Sequence, residues 1–170
     1  MNQSTIKVAV HGVWATRGRC SVIRPTIDPT LRACIVARLR RSNCEPLAFG
    51  AADDHVHVLF WLGGAASLSA VFRAIKSDSA RVASLASDTP VLWQAGFAAF
   101  AVEQRSIDVV ASYVENQRNH HRLGTQSRDL EPLSFETSLS QSSPSAPRAP
   151  RASSTPPAPG PPPAPRVQKR

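Results

Sequence analysis

Tyrosine is nearly absent from this chain. Tyr113 is the only one in 170 residues, so any chemistry that needs a phenol falls on that position. Cysteine is scarce too. Cys20, Cys34 and Cys44 are odd in number, far apart and without a CxxC pair, which argues against a disulfide framework and for reduced thiols. No run is long and apolar enough to span a bilayer, and Met1 to Thr5 is polar, without the apolar centre of a signal peptide. These absences predict a cytoplasmic protein that does not enter a membrane. No internal repeat is visible in the part expected to fold. Acidic residues are missing from the C-terminal end: all 12 lie between Asp28 and Glu136.

That asymmetry divides the chain. Up to Glu136 there are 15 lysines and arginines against the 12 acids; beyond it there are 5 cations and no acid. Ten of the fifteen prolines also fall after residue 140, among Ser, Ala and Arg. Such a composition cannot bury a core. The expectation is one folded domain over residues 1–136 and a disordered basic tail over 137–170. A mildly basic domain with a basic tail is compatible with nucleic acid but does not require it.

What is present centres on Asp53 to Phe60. From His55 onward the residues alternate. His55, His57, Leu59 and Trp61 share one face of a strand; Val56, Val58, Phe60 and Leu62 form a wholly apolar opposite face. Two imidazoles side by side are a ready chelating pair for a divalent metal. The bland alternative is a pair of histidines packed on a half-buried face, and the strand alone does not choose.

Around this strand the pattern predicts further elements. Ile6 to about Trp14 alternates as a first strand. Arg17, Arg19 and Arg24 follow in a loop, either solvated or contacting phosphate. Asp28-Pro29 starts a helix with an acidic N-cap; Leu31, Cys34, Ile35 and Leu39 form its stripe, and Ser42-Asn43 ends it. Pro46 to Ala52 reads as a strand that forms a hairpin with the histidine strand through Asp53-Asp54. After Gly63-Gly64, Ser67 or Ser69 caps a helix with Leu68, Val71, Phe72, Ile75, Val82 and Leu85. Lys76 lies on its polar side, a solvated cation or a phosphate contact. Val91 to Val102 reads as a last strand entered through an irregular piece. Ser106 caps a third helix with Ile107, Val110, Ala111 and Val114, continuing to Arg122. The order predicts an α+β, ferredoxin-like split βαβ fold: an antiparallel sheet with helices on one face and an added C-terminal helix that carries the tyrosine.

On that last helix Tyr113 and Gln117 are four apart and share a face. The phenol is a candidate nucleophile and the amide a candidate oxygen ligand. Singly, each also fits an ordinary helix surface. A metal on two imidazoles and an amide oxygen keeps positions open for substrate, and a tyrosine one turn away could attack what the metal polarises. Magnesium prefers oxygen ligands and manganese accepts both donor types, so the expected ion is Mg²⁺ or Mn²⁺.

Asp54-His55-Val56-His57, Trp93-Gln94-Ala95-Gly96-Phe97-Ala98-Ala99-Phe100 and Tyr113-Val114-Glu115-Asn116-Gln117-Arg118-Asn119-His120-His121 together resemble the small HUH single-tyrosine transposases of bacterial insertion sequences, whose relatives include the REP-associated tyrosine transposases. The resemblance runs from about Ile6 to Arg122. It implies that Tyr113 is the nucleophile and that His55, His57 and Gln117 bind the metal. It further implies cutting and rejoining of single-stranded or hairpin DNA at insertion-sequence ends through a 5′-phosphotyrosine. Homodimers whose tyrosine helices act in trans are common in the family. Arg17, Arg19, Arg24 and Lys76 become DNA-contact candidates. Phe97 stands where the family often has a hydroxylated aromatic, and the proline-rich tail is not part of the family core. The alternative is an inactive or domesticated relative that binds structured single-stranded DNA or RNA without cleavage. A zinc-binding ferredoxin-like hydrolase or storage domain is less compatible, since it has no use for the tyrosine.

Overall fold

The computed structural model describes residues 7–127 and 129–131. Four strands, β1 (Ala9–Ala15), β2 (Glu45–Ala51), β3 (His55–Trp61) and β4 (Ala98–Val102), form one antiparallel sheet in the order β2-β3-β1-β4. The helices are α1 (Asp28–Arg41), α2 (Leu68–Leu85), α3 (Ile107–Glu115) and α4 (Gln117–Leu123). β3 lies between β1 and β2, and β1 lies between β3 and β4, so both βαβ units are split. This is the ferredoxin-like α+β topology that the element order predicts.

The main core fills one face of the sheet. Val10 and Trp14 of β1 and Val56, Val58 and Phe60 of β3 meet Leu31, Ile35 and Leu39 of α1 and Val71, Phe72 and Ile75 of α2. Gly12 is required here: a Cβ at that position would stand 2.2 Å from the Phe72 ring. Phe72 occupies that space, stacked on Phe97 with centroids 4.0 Å apart. The buried stripe of α2 continues through Ser79 and Ala83, whereas Leu85, expected to be inside, is 79 % exposed. Ser79 is tolerated because its hydroxyl accepts the indole N–H of Trp93 at 3.0 Å.

The expectation of helices on one face is corrected. α3 covers the other face through a smaller core of Ala48, Leu59, Val110 and Val114. The central strands β1 and β3 are therefore buried on both sides, while β4 stays partly exposed, and His55 and His57 lie under α3 and α4 rather than on a half-open surface. The helix expected from Ser106 to Arg122 is interrupted at Asn116 (φ −100°, ψ 19°). Asp28 does not cap α1; it is the first helical residue, and its carboxylate is engaged elsewhere. Regular pairing in the last strand begins only at Ala98, with an isolated bridge between Thr16 and Trp93 upstream. Cys20, Cys34 and Cys44 are free thiols. Ile6 and the tail over 137–170 lie outside the described residues. Among the described residues no helix is long and apolar enough to cross a membrane.

Candidate metal and tyrosine site

The site is built on β3. His55 and His57 leave the strand on the same side, with ring centroids 5.0 Å apart, and both are fully buried. Each imidazole is held from behind by its Nδ1. His55 Nδ1 lies 2.6 Å from Asp54 Oδ1, and Asp54 also pairs with Arg19 at 2.9 Å. Burial pushes the Asp54 carboxyl up, but the hydrogen bond from His55 and the charges around it outweigh burial and hold it below its ordinary value. His57 Nδ1 lies 2.9 Å from His11 Nε2, and their rings stack with centroids 5.1 Å apart. His11 sits on β1, on the same face of the sheet, because Val13 pairs with His57 and His11 with Leu59.

Burial lowers His11 to about 4. Burial, and then neighbouring imidazoles, lower His57 well below the ordinary histidine value. Both are therefore neutral at pH 7, the state in which an imidazole can ligate metal.

α3 and α4 close the site from above. At the break between them, Gly50 of β2 admits the chain. A Cβ on Gly50 would stand 1.7 Å from the Val114 carbonyl oxygen and 3.0 Å from Gln117 Cγ. Gly50 is the cross-strand partner of His57, so this close approach brings Gln117 over the histidine strand. Gln117 is fully buried; its Nε2 donates to the Tyr113 carbonyl at 3.2 Å, which leaves Oε1 unused. Arg118, the next residue, fastens α4 to the body. It donates to Asp28 through Nε (2.8 Å) and Nη2 (2.7 Å), to Asp53 (2.5 Å) and to the Ile23 carbonyl (3.0 Å). This two-pronged clamp is the use to which Asp28 is put.

The Tyr113 ring meets His57 edge-on at 6.2 Å and stacks on His120 at 4.6 Å. Its hydroxyl donates to Glu131 Oε1 at 2.7 Å and accepts from the Ser127 amide at 3.0 Å. Burial, then the bond to Glu131, push the phenol up to about 12. Glu131 is itself 5 % exposed, with Oε1 3.9 Å from His57 Nε2 and Oε2 3.3 Å from His121 Nε2.

Among the described residues five buried atoms in this neighbourhood lack a hydrogen-bond partner: His11 Nδ1, His55 Nε2, His57 Nε2, Gln117 Oε1 and His121 Nε2, the last having only its ion pairing with Glu131. An unsatisfied buried polar group costs about 1–3 kcal/mol, and a cluster of them facing one another suits a shared cation. Donor atoms of His55, His57 and Glu131 lie within 4.8 Å of one another. Imidazole nitrogens with carboxylate and amide oxygens, and no thiolate, fit a hard or borderline divalent ion. The residues present thus fit a divalent metal.

The structure brings His55, His57, Gln117 and Tyr113 together. Sequence reasoning missed His11, Arg118 and Glu131. His11 was visible as a polar residue in an apolar strand, but its partner is 46 residues away. Of the cationic candidates, Arg19 is engaged by Asp54, while Arg17 and Arg24 are exposed. Lys76 is half-buried and tied down: its ammonium donates to the carbonyls of Gln94 (2.6 Å), Ala95 (3.1 Å) and Gly96 (2.7 Å), and burial lowers it to about 8. Arg17, Arg73 and Lys76 nevertheless line one cleft of about 490 Å³ with Leu92, Trp93 and Phe97.

Comparison with known proteins identifies the family and the fold. Residues 4–117 match the family model described as "Transposase IS200 like". A candidate transposase from Deinococcus radiodurans superposes with a TM-score of 0.56 at 22% identity, covering 69% of this chain and 96% of its own. A REP-associated tyrosine transposase bound to a REP hairpin superposes with a TM-score of 0.54 at 22% identity, covering 83% and 85%. No curated protein sequence matches. The family match spans most of the chain and both structures share its fold; the chain belongs to the IS200-like transposases, a family of DNA-cleaving enzymes.

Proposed function

We propose that this transposase cuts and rejoins single-stranded DNA through a covalent 5′-phosphotyrosine on Tyr113, with His55, His57 and Gln117 holding Mg²⁺ or Mn²⁺. The observation that carries the proposal is the buried group of His55, His57 and Glu131, whose donor atoms lie within 4.8 Å of one another beside the only phenol of the chain. The unpartnered Oε1 of buried Gln117, one turn from Tyr113, supports its place as a further ligand. When bound, the metal would neutralise charge on the non-bridging oxygens of the scissile phosphate. The Tyr113 oxygen bonds to phosphorus as the bond to the 3′ oxygen breaks, leaving a free 3′-hydroxyl. A 3′-hydroxyl that attacks the phosphotyrosine reverses the step, so no nucleotide cofactor is consumed. His11 and Asp54 hold the two imidazoles, and Arg118 holds the helix that carries Gln117. Glu131 is a fourth candidate ligand.

The relative solved with a REP hairpin supports hairpin DNA as the substrate class here. Arg17 and Arg24 are the exposed cations that suit phosphate contact, and the cleft of Arg17, Arg73 and Lys76 suits a nucleotide. A homodimer with tyrosine helices acting in trans belongs to the same proposal, as do a domain ending near residue 136 and a tail that adds basic charge.

One observation favours the second reading, binding without cleavage. Tyr113 is only 9 % exposed, and its hydroxyl is held by Glu131 and Ser127. A phosphodiester reaches it only when that segment gives way. The test is a denaturing gel of the protein incubated with labelled hairpin oligonucleotides and Mn²⁺. The proposal expects a protease-sensitive adduct that is absent in Tyr113→Phe, with DNA binding retained. Salt-sensitive binding with no adduct in either protein selects the second reading.

A further inference from the structure

We infer that His11 is a positioning residue of the metal site, accepting the Nδ1–H of His57 so that the Nε2 lone pair of His57 faces the metal. The inference rests on the proposed metal site and adds a residue to it.

The argument begins with the two ligand histidines, which are held differently. His55 Nδ1 lies 2.6 Å from a carboxylate oxygen of Asp54. A carboxylate only accepts, so His55 carries its proton on Nδ1 and presents a bare Nε2. His57 has no carboxylate behind it. Its Nδ1 faces His11 Nε2 at 2.9 Å, and two neutral imidazoles can share one proton in either sense. If His11 donates, the His57 proton sits on Nε2 and the ligand atom is blocked. If His11 accepts, His57 Nε2 is bare, and His11 carries its own proton on Nδ1. Only the second sense lets His57 ligate.

The surroundings hold His11 for that task. It is fully buried, stacked on His57 on one side and 6.1 Å from the Phe100 ring on the other. Its Nδ1 has no partner among the described residues, so the bond to His57 is the one polar contact of its ring. Imidazole is also a neutral acceptor. It orients the ligand without adding a second buried negative charge beside Asp54. Partners of this kind behind a ligating histidine change metal affinity by about 10–100-fold.

The test measures Mn²⁺ binding by the full chain without DNA, from the electron paramagnetic resonance of free Mn²⁺. His11→Phe keeps the ring and its stacking but has no acceptor; His11→Gln restores a carbonyl acceptor. The expected result is a loss of about 10–100-fold in affinity for His11→Phe and a loss of less than about threefold for His11→Gln. Imidazole ¹⁵N shifts of the metal-free wild type supply an independent readout, expected to show the His57 proton already on Nδ1. His11→Phe binding Mn²⁺ as tightly as wild type, or a His57 proton on Nε2 in the metal-free protein, overturns the inference. If His11→Phe does not fold, the ¹⁵N shifts and His11→Gln decide. His57→Ala separates the two levels. A wild type that binds no Mn²⁺ removes the metal site and this inference together. Wild-type binding lost in His57→Ala but unchanged in His11→Phe removes the inference alone.

Discussion

Tyr113 donates its phenolic hydrogen to Glu131 across a buried 2.7 Å bond, although the two are 18 residues apart. Because Tyr113 is the only tyrosine, tyrosinate absorbance reports this one site. The wild-type phenol is expected to titrate near 12. Glu131 raises it through both its hydrogen bond and its charge, so Glu131→Gln is expected to titrate lower. The folded value lies above the ordinary value of about 10. The corresponding stability is therefore present below pH 10 and is lost as pH rises toward 12. A spectrophotometric titration of both proteins checks the direction; an upward shift in Glu131→Gln would refute it.

Gly50→Ala tests how α3 and α4 reach the sheet. The new methyl meets the Val114 carbonyl, which is backbone and cannot rotate aside. The expected cost is about 1–3 kcal/mol in urea unfolding. Gln117 moves with that turn, so Mn²⁺ affinity should fall as well. A loss of stability with unchanged affinity would show that Gln117 is not a ligand.

Arg118→Lys keeps the charge but loses the planar fork that engages Asp28 twice. Stability is expected to fall by about 1–2 kcal/mol, discounted because both side chains are about a quarter exposed. Hydrogen exchange should quicken in α4 more than in α1. Uniform quickening would argue against a local clamp.

Lys76 and Arg24 should separate structure from DNA contact. Lys76→Met removes the donor that gathers the carbonyls of Gln94, Ala95 and Gly96, so it is expected to lower the melting temperature. Arg24→Ala is expected to leave melting unchanged and to reduce the salt dependence of hairpin binding, by about one unit of slope if it contacts phosphate. An unchanged slope would remove Arg24 from the interface.

Acid should destabilise the metal-free protein early. His11 titrates at about 4 when folded, below the ordinary 6.5. The folded state thus binds fewer protons in between, and stability present above pH 6.5 is lost as pH falls toward 4. His57 acts in the same direction. His11 alone accounts for roughly 3 kcal/mol over that window. Urea midpoints at pH 7.5, 6 and 5 test this, and a flat profile would contradict it.

The amino-acid sequence by itself determined the ferredoxin-like order of strands and helices and the one-sided histidine pair. Alternation and helical spacing are local signals, read within a few residues. It also placed Tyr113 and Gln117 near each other, since four residues along a helix fix a neighbour whether or not the helix breaks at Asn116. Only the tertiary structure decided that the histidine face is buried beneath α3, because amphipathic pattern does not say which layer covers which face. The same holds for the partners of the site. His11 meets His57 through strand register, Glu131 reaches Tyr113 through the path of the chain after α4, and Arg118 finds Asp28 90 residues away. Lys76 looked like a surface cation for the same reason: the carbonyls that claim it come from an irregular segment, which has no period to read. Contacts between distant segments are set by packing, and packing is decided by the whole chain at once.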